Sequence, residues 1–133
     1  MSVTRGRCLC GKVAYEFEGP INWSGHCHCE SCRRNTSSVV ATFIGVPRTA
    51  FRFTGIEPKT YVSSKGVRRL FCPHCGSPVA YDADAYPSEI HFYIGTLDNP
   101  EVLRPTFHVF HDEKLPWFEI DDDLPRHAGS SSD

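Results

Sequence analysis

The sequence predicts an all-β domain, and three observations support this fold class. Several short segments alternate between apolar and polar residues or are rich in β-branched side chains, as strands are. Ten glycines and ten prolines separate these segments, so the chain turns often. No segment carries the long apolar stripe that marks an amphipathic helix. Many short strands with frequent turns are typical of a mostly β domain.

The predicted elements follow one another closely along the chain. Residues 12–18 (KVAYEFE) alternate, which places their apolar side chains on one face of a strand. Residues 30–36 are predicted to form a single helical turn. Residues 38–46 (SVVATFIGV) are rich in β-branched side chains and predict the next strand. Five further strands are predicted, two of them joined by a hairpin turn at residues 64–66: residues 60–63, 67–71, 78–81, 89–94 and 106–110.

Length and composition predict one globular domain. The chain has 133 residues, of which 40% are hydrophobic and 23% charged. We assign residues 1–125 to the domain and expect residues 126–133 (RHAGSSSD) to form a flexible tail. No stretch approaches the roughly 20 apolar residues of a membrane-spanning helix, so no membrane is expected. The first residues lack the apolar segment of a secretory signal, which predicts a cytoplasmic location where disulfides are rare.

The charge of the chain argues against a nucleic-acid partner. The formal net charge is -2 at pH 7. Proteins that bind nucleic acids usually carry a basic excess or a basic stripe. The dense basic clusters here are limited to Arg33 with Arg34 and to residues 65–69.

Seven cysteines occur in spacings that metal sites use. They form C-x-C at Cys8 and Cys10, C-x-C-x-x-C from Cys27 to Cys32, and C-x-x-C at Cys72 and Cys75. The odd number argues against a disulfide framework. A C-x-C on a strand directs both sulfurs to one face. A C-x-x-C followed by glycine suits a tight turn around a metal ion.

The spacing favours two clusters of different size. The pairs at residues 8 and 10 and at residues 72 and 75 together supply four thiolates, which is a closed tetrahedral zinc site. Cys27, Cys29 and Cys32 remain, and they lie close enough in sequence to share a second ion with an open position. A different grouping, in which Cys8 and Cys10 join Cys27 and Cys29, also satisfies the spacing.

An open three-thiolate zinc site favours chemistry on sulfur. Three thiolates bring the charge of the bound zinc to a net -1, so it activates water less than a zinc held by neutral histidines. Such an ion can still accept a thiol, and a coordinated thiol is deprotonated outright. A free thiol has a pKa of about 8.5 and is mostly protonated at pH 7. The natural reaction is attack of a small thiol on an electrophile.

Five stretches resemble the glutathione-dependent formaldehyde-activating enzyme family, which includes centromere protein V. The resemblance covers nearly the whole chain in family order, and at the position where many members carry a glycine this chain has residues 35–37 (NTS). The stretches are GRCLCGKVAY at 6–15, HCHCESCRR at 26–34, FCPHCGSP at 71–78, IGTLDN at 94–99 and HVFHDEKLPW at 108–117. The resemblance implies an Mss4-like fold of short antiparallel strands organised around a zinc site.

The resemblance also implies two zinc ions and a reaction. The structural zinc ligands would be Cys8, Cys10, Cys72 and Cys75. The ligands of a catalytic zinc, which can be labile, would be Cys27, Cys29 and Cys32. The implied activity is that of a carbon-sulfur lyase, the condensation of formaldehyde with glutathione to S-(hydroxymethyl)glutathione.

Residues beside the three-cysteine motif have less defined roles. Arg33 and Arg34 are candidates for binding a glutathione carboxylate or for offsetting the negative zinc site. His26 and His28 flank the ligands and could supply a fourth ligand or a proton, or could simply support the ligands. Glu30 is a candidate general base.

Two other functions stay open at this stage. A non-catalytic zinc module that binds a protein or chromatin needs only the closed site, because closed sites often only stabilise a fold. A zinc deaminase-like hydrolase is the second, since His28, Glu30, Cys72 and Cys75 superficially match the H-x-E…C-x-x-C pattern.

Overall fold

The computed structural model describes residues 2–131, in which β-strands dominate. One α-helix, α1, spans Glu30–Thr36, and short 3₁₀ helices occur at Ile94–Thr96, Pro100–Val102 and His111–Glu113. The strands are β1 Val3–Arg7, β2 Ala14–Glu18, β3 Trp23–Cys27, β4 Ala41–Pro47, β5 Phe51–Phe53, β6 Lys59–Ser64, β7 Val67–Phe71, β8 Pro78–Ala83, β9 Glu89–Tyr93 and β10 His108–Val109. The predicted mostly β fold class with little helix is confirmed.

The strands form two sheets. The smaller has the order β1-β2-β5, and the larger has the order β10-β3-β4-β9-β8-β7-β6. All pairings are antiparallel except that of β10 with β3, which is parallel. β10 comes about 80 residues after β3 in the sequence. Their pairing therefore brings the C-terminal part of the described chain beside Cys27.

Stacked aromatic rings join the two sheets in the main core. The rings of Tyr15 on β2 and Phe92 on β9 stack with centroids 3.8 Å apart, and both side chains are fully buried. Phe51 and Phe53 of β5 meet Phe92 edge-on. Cys8 and Cys72 belong to this same core, so the first cysteine cluster is built into the junction of the sheets.

Most predicted strands are present, with shifted ends. The bounds of β7 and α1 agree with the prediction, and the strand predicted at 38–46 begins later and spans Ala41–Pro47. Strands β1, β3 and β5 were not predicted. β3 (WSGHC) lacks β-branched residues, and its Gly25 marks a close approach: a Cβ there would lie 2.6 Å from the ring of Phe107.

The last described residues lie along β10. Backbone hydrogen bonds join His108 N–H to the Pro125 carbonyl, His127 N–H to the His108 carbonyl, and Phe110 N–H to the Gly129 carbonyl. The predicted tail at 126–133 therefore begins with residues that are tied to the sheet. Its mobility stays a prediction, and residues 132 and 133 lie outside the described part of the chain.

Within residues 2–131, no helix has both the length and the apolar character needed to cross a membrane.

Candidate metal centres and an aromatic cavity

The first cysteine cluster is assembled by two tight turns. Cys8 and Cys10 follow β1, while Cys72 and Cys75 follow β7. The four Sγ atoms lie within 4.8 Å of one another, and the Cys8–Cys10 and Cys10–Cys72 sulfur distances are 3.6 and 3.7 Å. A tetrahedral zinc with bonds of about 2.3 Å to sulfur requires sulfurs about 3.8 Å apart. The side chains therefore fit a tetrahedral ion, and the distances exclude a disulfide.

Backbone amides in this cluster point at the sulfurs. Val13 N–H donates to Cys8 Sγ at 3.4 Å, and the amides of His74 and Cys75 donate to Cys72 Sγ at 3.3 and 3.4 Å. Such hydrogen bonds stabilise a charged thiolate. The turn that permits them ends at Gly76, whose φ of 80° is readily accessible only to glycine.

The second cluster lies where β3 meets α1. Cys27 is the last residue of β3, Cys29 caps the helix, and Cys32 lies in its first turn. The Cys32 amide donates to Cys29 Sγ at 3.3 Å, and the Cys27 and Cys32 sulfurs are 3.8 Å apart. All three Sγ atoms lie within 4.8 Å of one another, so they too fit a single ion.

The three thiols of this second cluster favour a thiolate at Cys29. Hydrogen bonds from Cys27 and Cys32 lower the pKa of Cys29 far below that of a free thiol. The same interactions, together with burial, raise the pKa of Cys27. The sulfurs thus compete for negative charge, and a bound cation would relieve that competition by favouring thiolates at all three positions.

The structure brings the cysteines together in the two groups favoured by their spacing. Cys8 and Cys10 share a cluster with Cys72 and Cys75, and the other grouping, with Cys27 and Cys29, is not formed. The zinc deaminase set is not assembled either, because Cys72 and Cys75 face Cys8 and Cys10 while His28 Nε2 lies 2.9 Å from His108 Nδ1. The structural and catalytic roles of the two clusters stay predictions.

A cavity of about 430 Å³ opens beside the three-cysteine cluster. Cys27, Cys29 and Cys32 all line it, so an ion bound there would be accessible from the cavity. One side of it is aromatic, with rings from β3, β4, β8, the turn after β8 and the C-terminal part of the chain: Trp23, Phe43, Tyr81, Tyr86, Phe107 and Phe110. Serines and Glu113 line other parts of it. The cavity has the volume and the largely apolar lining typical of small-molecule sites.

Arg69 is the buried cation of this cavity. Its side chain comes from β7, only 6% of the residue is exposed, and Nη1 donates to Cys32 Sγ at 3.4 Å. The guanidinium lies 4.9 Å from the centroid of the Tyr81 ring. Within residues 2–131 it forms no ion pair with a carboxylate. A buried charge needs a partner, and here the nearby thiols are the groups that can supply negative charge.

The arginines predicted to bind substrate lie elsewhere. Arg34 is exposed, and its Nε lies 2.7 Å from Glu30 Oε2. The carboxylate of Glu30, the candidate general base, is therefore already part of an ion pair. Arg33 is half-buried, and neither arginine is among the described residues that line the cavity. Their role in binding substrate stays a prediction.

A chain of hydrogen bonds links the three-cysteine motif to the C-terminal part of the chain. His28 is fully buried, its Nε2 lies 2.9 Å from His108 Nδ1, and His108 Nε2 lies 3.0 Å from Asp122 Oδ2. Burial, reinforced by His108, lowers the pKa of His28 to about 4, so this imidazole is neutral at pH 7. His26 is also engaged, with Nδ1 2.8 Å from Thr42 Oγ1. Both histidines beside the cysteines therefore have structural partners.

Sequence reasoning did not find Arg69, Asp122 or the aromatic lining. In the sequence, Arg69 is one residue of the basic cluster at 65–69. In the structure, side chains alternate along β7, so Arg69 points inward while Arg68 pairs with Asp82 and Asp84. Nothing in the local sequence distinguishes Asp122 from its acidic neighbours. The alternation of β7 was the one available signal, and it does not say which of its two faces is buried.

Comparison with known proteins agrees with the cysteine geometry. The profile of the glutathione-dependent formaldehyde-activating enzyme family matches residues 3–113. No curated protein matches the chain. A crystal structure of a Rhodobacter sphaeroides protein has a similar fold, with a TM-score of 0.59 and 19% identity over 92% of this chain and 98% of that one. Because the family match spans most of the chain and includes all seven cysteines, this protein belongs to the glutathione-dependent formaldehyde-activating enzyme family.

Proposed function

We propose that this protein is a zinc-dependent enzyme of the carbon-sulfur lyase type. It adds a small, glutathione-like thiol to formaldehyde or a related electrophile at the three-cysteine cluster. One observation carries the proposal: three sulfurs spaced for a single ion line a cavity of small-molecule size. A non-catalytic module would need neither the second cluster nor the cavity. Two zinc ions per chain and a cytoplasmic location, where thiols stay reduced, belong to the same proposal.

Cys27, Cys29 and Cys32 would hold the zinc ion on the side of the cavity. When bound there, zinc would supply the Lewis acidity that keeps a small thiol deprotonated at pH 7. The amide of Cys32 and the guanidinium of Arg69 donate to the Cys29 and Cys32 sulfurs and so fix their orientation. The buried pair of His28 and His108 supports the segment between Cys27 and Cys29, because His28 lies within it.

The reaction forms one carbon–sulfur bond. The thiol sulfur attacks the carbonyl carbon, the electron pair of the C=O π bond moves to the oxygen, and the proton released by the thiol ends on that oxygen. The reverse reaction breaks the same bond and regenerates aldehyde and thiol. Arg69 lines the cavity beside Cys32, so its guanidinium can stabilise the negative charge that develops on the carbonyl oxygen.

Metal analysis combined with exchange kinetics tests the proposal. We expect two zinc ions per chain in the purified protein and accelerated exchange between formaldehyde and glutathione in two-dimensional NMR exchange spectra. Cys29→Ala should retain one zinc and lose the acceleration while its circular dichroism spectrum stays native. An exchange rate equal to the spontaneous rate, in protein that carries two zinc ions, would remove formaldehyde and glutathione as the substrate pair.

A further inference from the structure

The aromatic wall of the cavity is built around two glycines. A Cβ at Gly45 would lie 2.3 Å from the Trp23 indole, and a Cβ at Gly25 would lie 2.6 Å from the Phe107 ring. Both glycines lie on neighbouring strands of the large sheet, β4 and β3. The two rings can therefore lie directly against the backbone of the sheet, where any other residue would push them away.

Two ring nitrogens on this side of the cavity are already paired with one carboxylate. Trp23 Nε1 donates to Glu89 Oε2 at 2.7 Å, and the same carboxylate atom lies 2.6 Å from His91 Nε2. Trp23 and Phe107 are in contact with ring centroids 5.8 Å apart, and Phe43 packs on Tyr93 at 4.5 Å. These contacts fix the aromatic side of the cavity by packing, while the serines and Glu113 that also line the cavity lie on other segments.

The aromatic side of the cavity suits an electrophile larger than formaldehyde. Formaldehyde is too small to contact walls that enclose about 430 Å³. Protein interiors are normally filled, so an apolar space of this size is typical of a site that a ligand completes.

We propose that the electrophile is an aldehyde carrying an aromatic ring, which packs between Trp23, Phe107 and Phe43 while its carbonyl group lies beside Arg69 and Cys29. This inference rests on the proposed function and names its second substrate. Ring–ring contacts favour aromatic ligands over apolar ligands of similar size. The reaction is the thiol addition described above, with the same balance of bonds and protons.

A binding experiment tests the ring site without requiring catalysis. The chain has two tryptophans, so Trp117→Phe leaves Trp23 as the sole indole reporter in the zinc-loaded protein. Unreactive alcohols are titrated: 2-phenylethanol, 2-cyclohexylethanol and ethanol. We expect 2-phenylethanol to bind on the order of 100-fold more tightly than ethanol, because its ring is buried. Equal responses to 2-phenylethanol and ethanol would overturn the proposal.

Substitution of Phe107 separates an aromatic site from a merely apolar one. Phe107→Leu keeps apolar volume and should lower the affinity ratio of 2-phenylethanol to 2-cyclohexylethanol by about 3- to 10-fold. Tyr61→Leu, which removes an exposed aromatic residue of β6, is the matched control and should leave the ratio unchanged. Zinc content and circular dichroism verify that both variants fold. An unchanged ratio in folded Phe107→Leu would overturn the proposal.

Exchange kinetics then distinguish failure of the two proposals. With glutathione as thiol, phenylacetaldehyde should exchange at least 10-fold faster relative to its spontaneous rate than formaldehyde does. Acceleration of formaldehyde alone would overturn the aromatic-aldehyde proposal and leave the lyase function intact. Tight binding of 2-phenylethanol without acceleration of any aldehyde would instead refute the lyase function and retain the ring site.

Discussion

The two cysteine clusters have similar sulfur spacings but different positions in the fold. The four-cysteine cluster joins turns that are 62 residues apart at Cys10 and Cys72, and two of its members are buried in the main core. The three-cysteine cluster is local in sequence and opens to a cavity beside Arg69. An ion in the four-cysteine cluster would stabilise the fold because it would connect distant segments of the chain. An ion in the three-cysteine cluster could be lost without separating any such segments.

The largest expected effect follows from breaking the four-cysteine cluster. Cys72 is fully buried and lies between Cys10 Sγ and two backbone amides. Cys72→Ser should abolish folding, since a structural zinc supplies about 10–16 kcal/mol, comparable to or larger than the whole stability of a typical domain. Circular dichroism and zinc analysis measure the loss.

Cys29→Ser is the matched comparison in the three-cysteine cluster. Cys29 is half-buried, so we expect this variant to keep a native circular dichroism spectrum and to lose about 1–2 kcal/mol of unfolding free energy. It should bind one zinc ion instead of two. If Cys29→Ser unfolded the protein as completely as Cys72→Ser, the distinction between the clusters would be wrong.

An intermediate effect is expected at Arg69, which affects one cluster alone. Arg69→Met removes the buried charge beside Cys32 while keeping an apolar side chain. Coulomb attraction at this range with an effective dielectric constant of about 20 is about 4–5 kcal/mol, and the desolvation of the buried guanidinium offsets much of it, so we expect zinc affinity at the three-cysteine cluster to fall by about 10- to 100-fold. Competition with a chelator measures it, and the four-cysteine zinc should be retained.

Arg68→Met is the control for this charge change. Arg68 is the neighbouring residue on β7, but it pairs with Asp82 and Asp84 and does not line the cavity. Its substitution should leave chelator competition unchanged. Equal loss of zinc from both variants would mean that Arg69 acts through net charge alone and not through its contact with Cys32.

The smallest effect concerns the end of the helix that carries Cys32. Ser37 caps α1 with a φ of 57°, in the left-handed region that favours glycine. Ser37→Gly should stabilise the protein by about 1 kcal/mol, which corresponds to a rise in Tm of about 4 °C. Ser38→Gly, at the next exposed residue, should not raise Tm, and differential scanning calorimetry compares the two. A lower Tm for Ser37→Gly would show that the serine side chain outweighs its backbone strain.

The sequence was most informative where local spacing determines geometry. The motifs C-x-C and C-x-x-C keep their sulfurs within one turn, although Cys8 and Cys10 follow β1 in a turn and do not lie on a strand as expected. Spacing favoured the observed grouping, and the structure excluded the alternative with Cys27 and Cys29. The ends of β7 and α1 were also predictable, since the turn at residues 64–66 precedes β7 and the cysteine motif precedes α1.

Features that depend on distant packing were not predictable. Strand β3 is a strand because β4 and β10 pair with it, although its own residues have little β-propensity. The aromatic lining requires Gly25 and Gly45 to meet rings from other parts of the chain, and no local pattern reports such a contact. Asp122 binds His108 only because the C-terminal segment returns to the sheet.

The separation between the two halves of the four-cysteine cluster has a consequence for synthesis. A growing chain exposes Cys8, Cys10 and the three sulfurs at residues 27–32 before Cys72 and Cys75 leave the ribosome. Five sulfurs can then capture zinc in a non-native set, from which the ion must be released before the sheets can close. We therefore expect the yield of native protein to depend on the zinc concentration during translation.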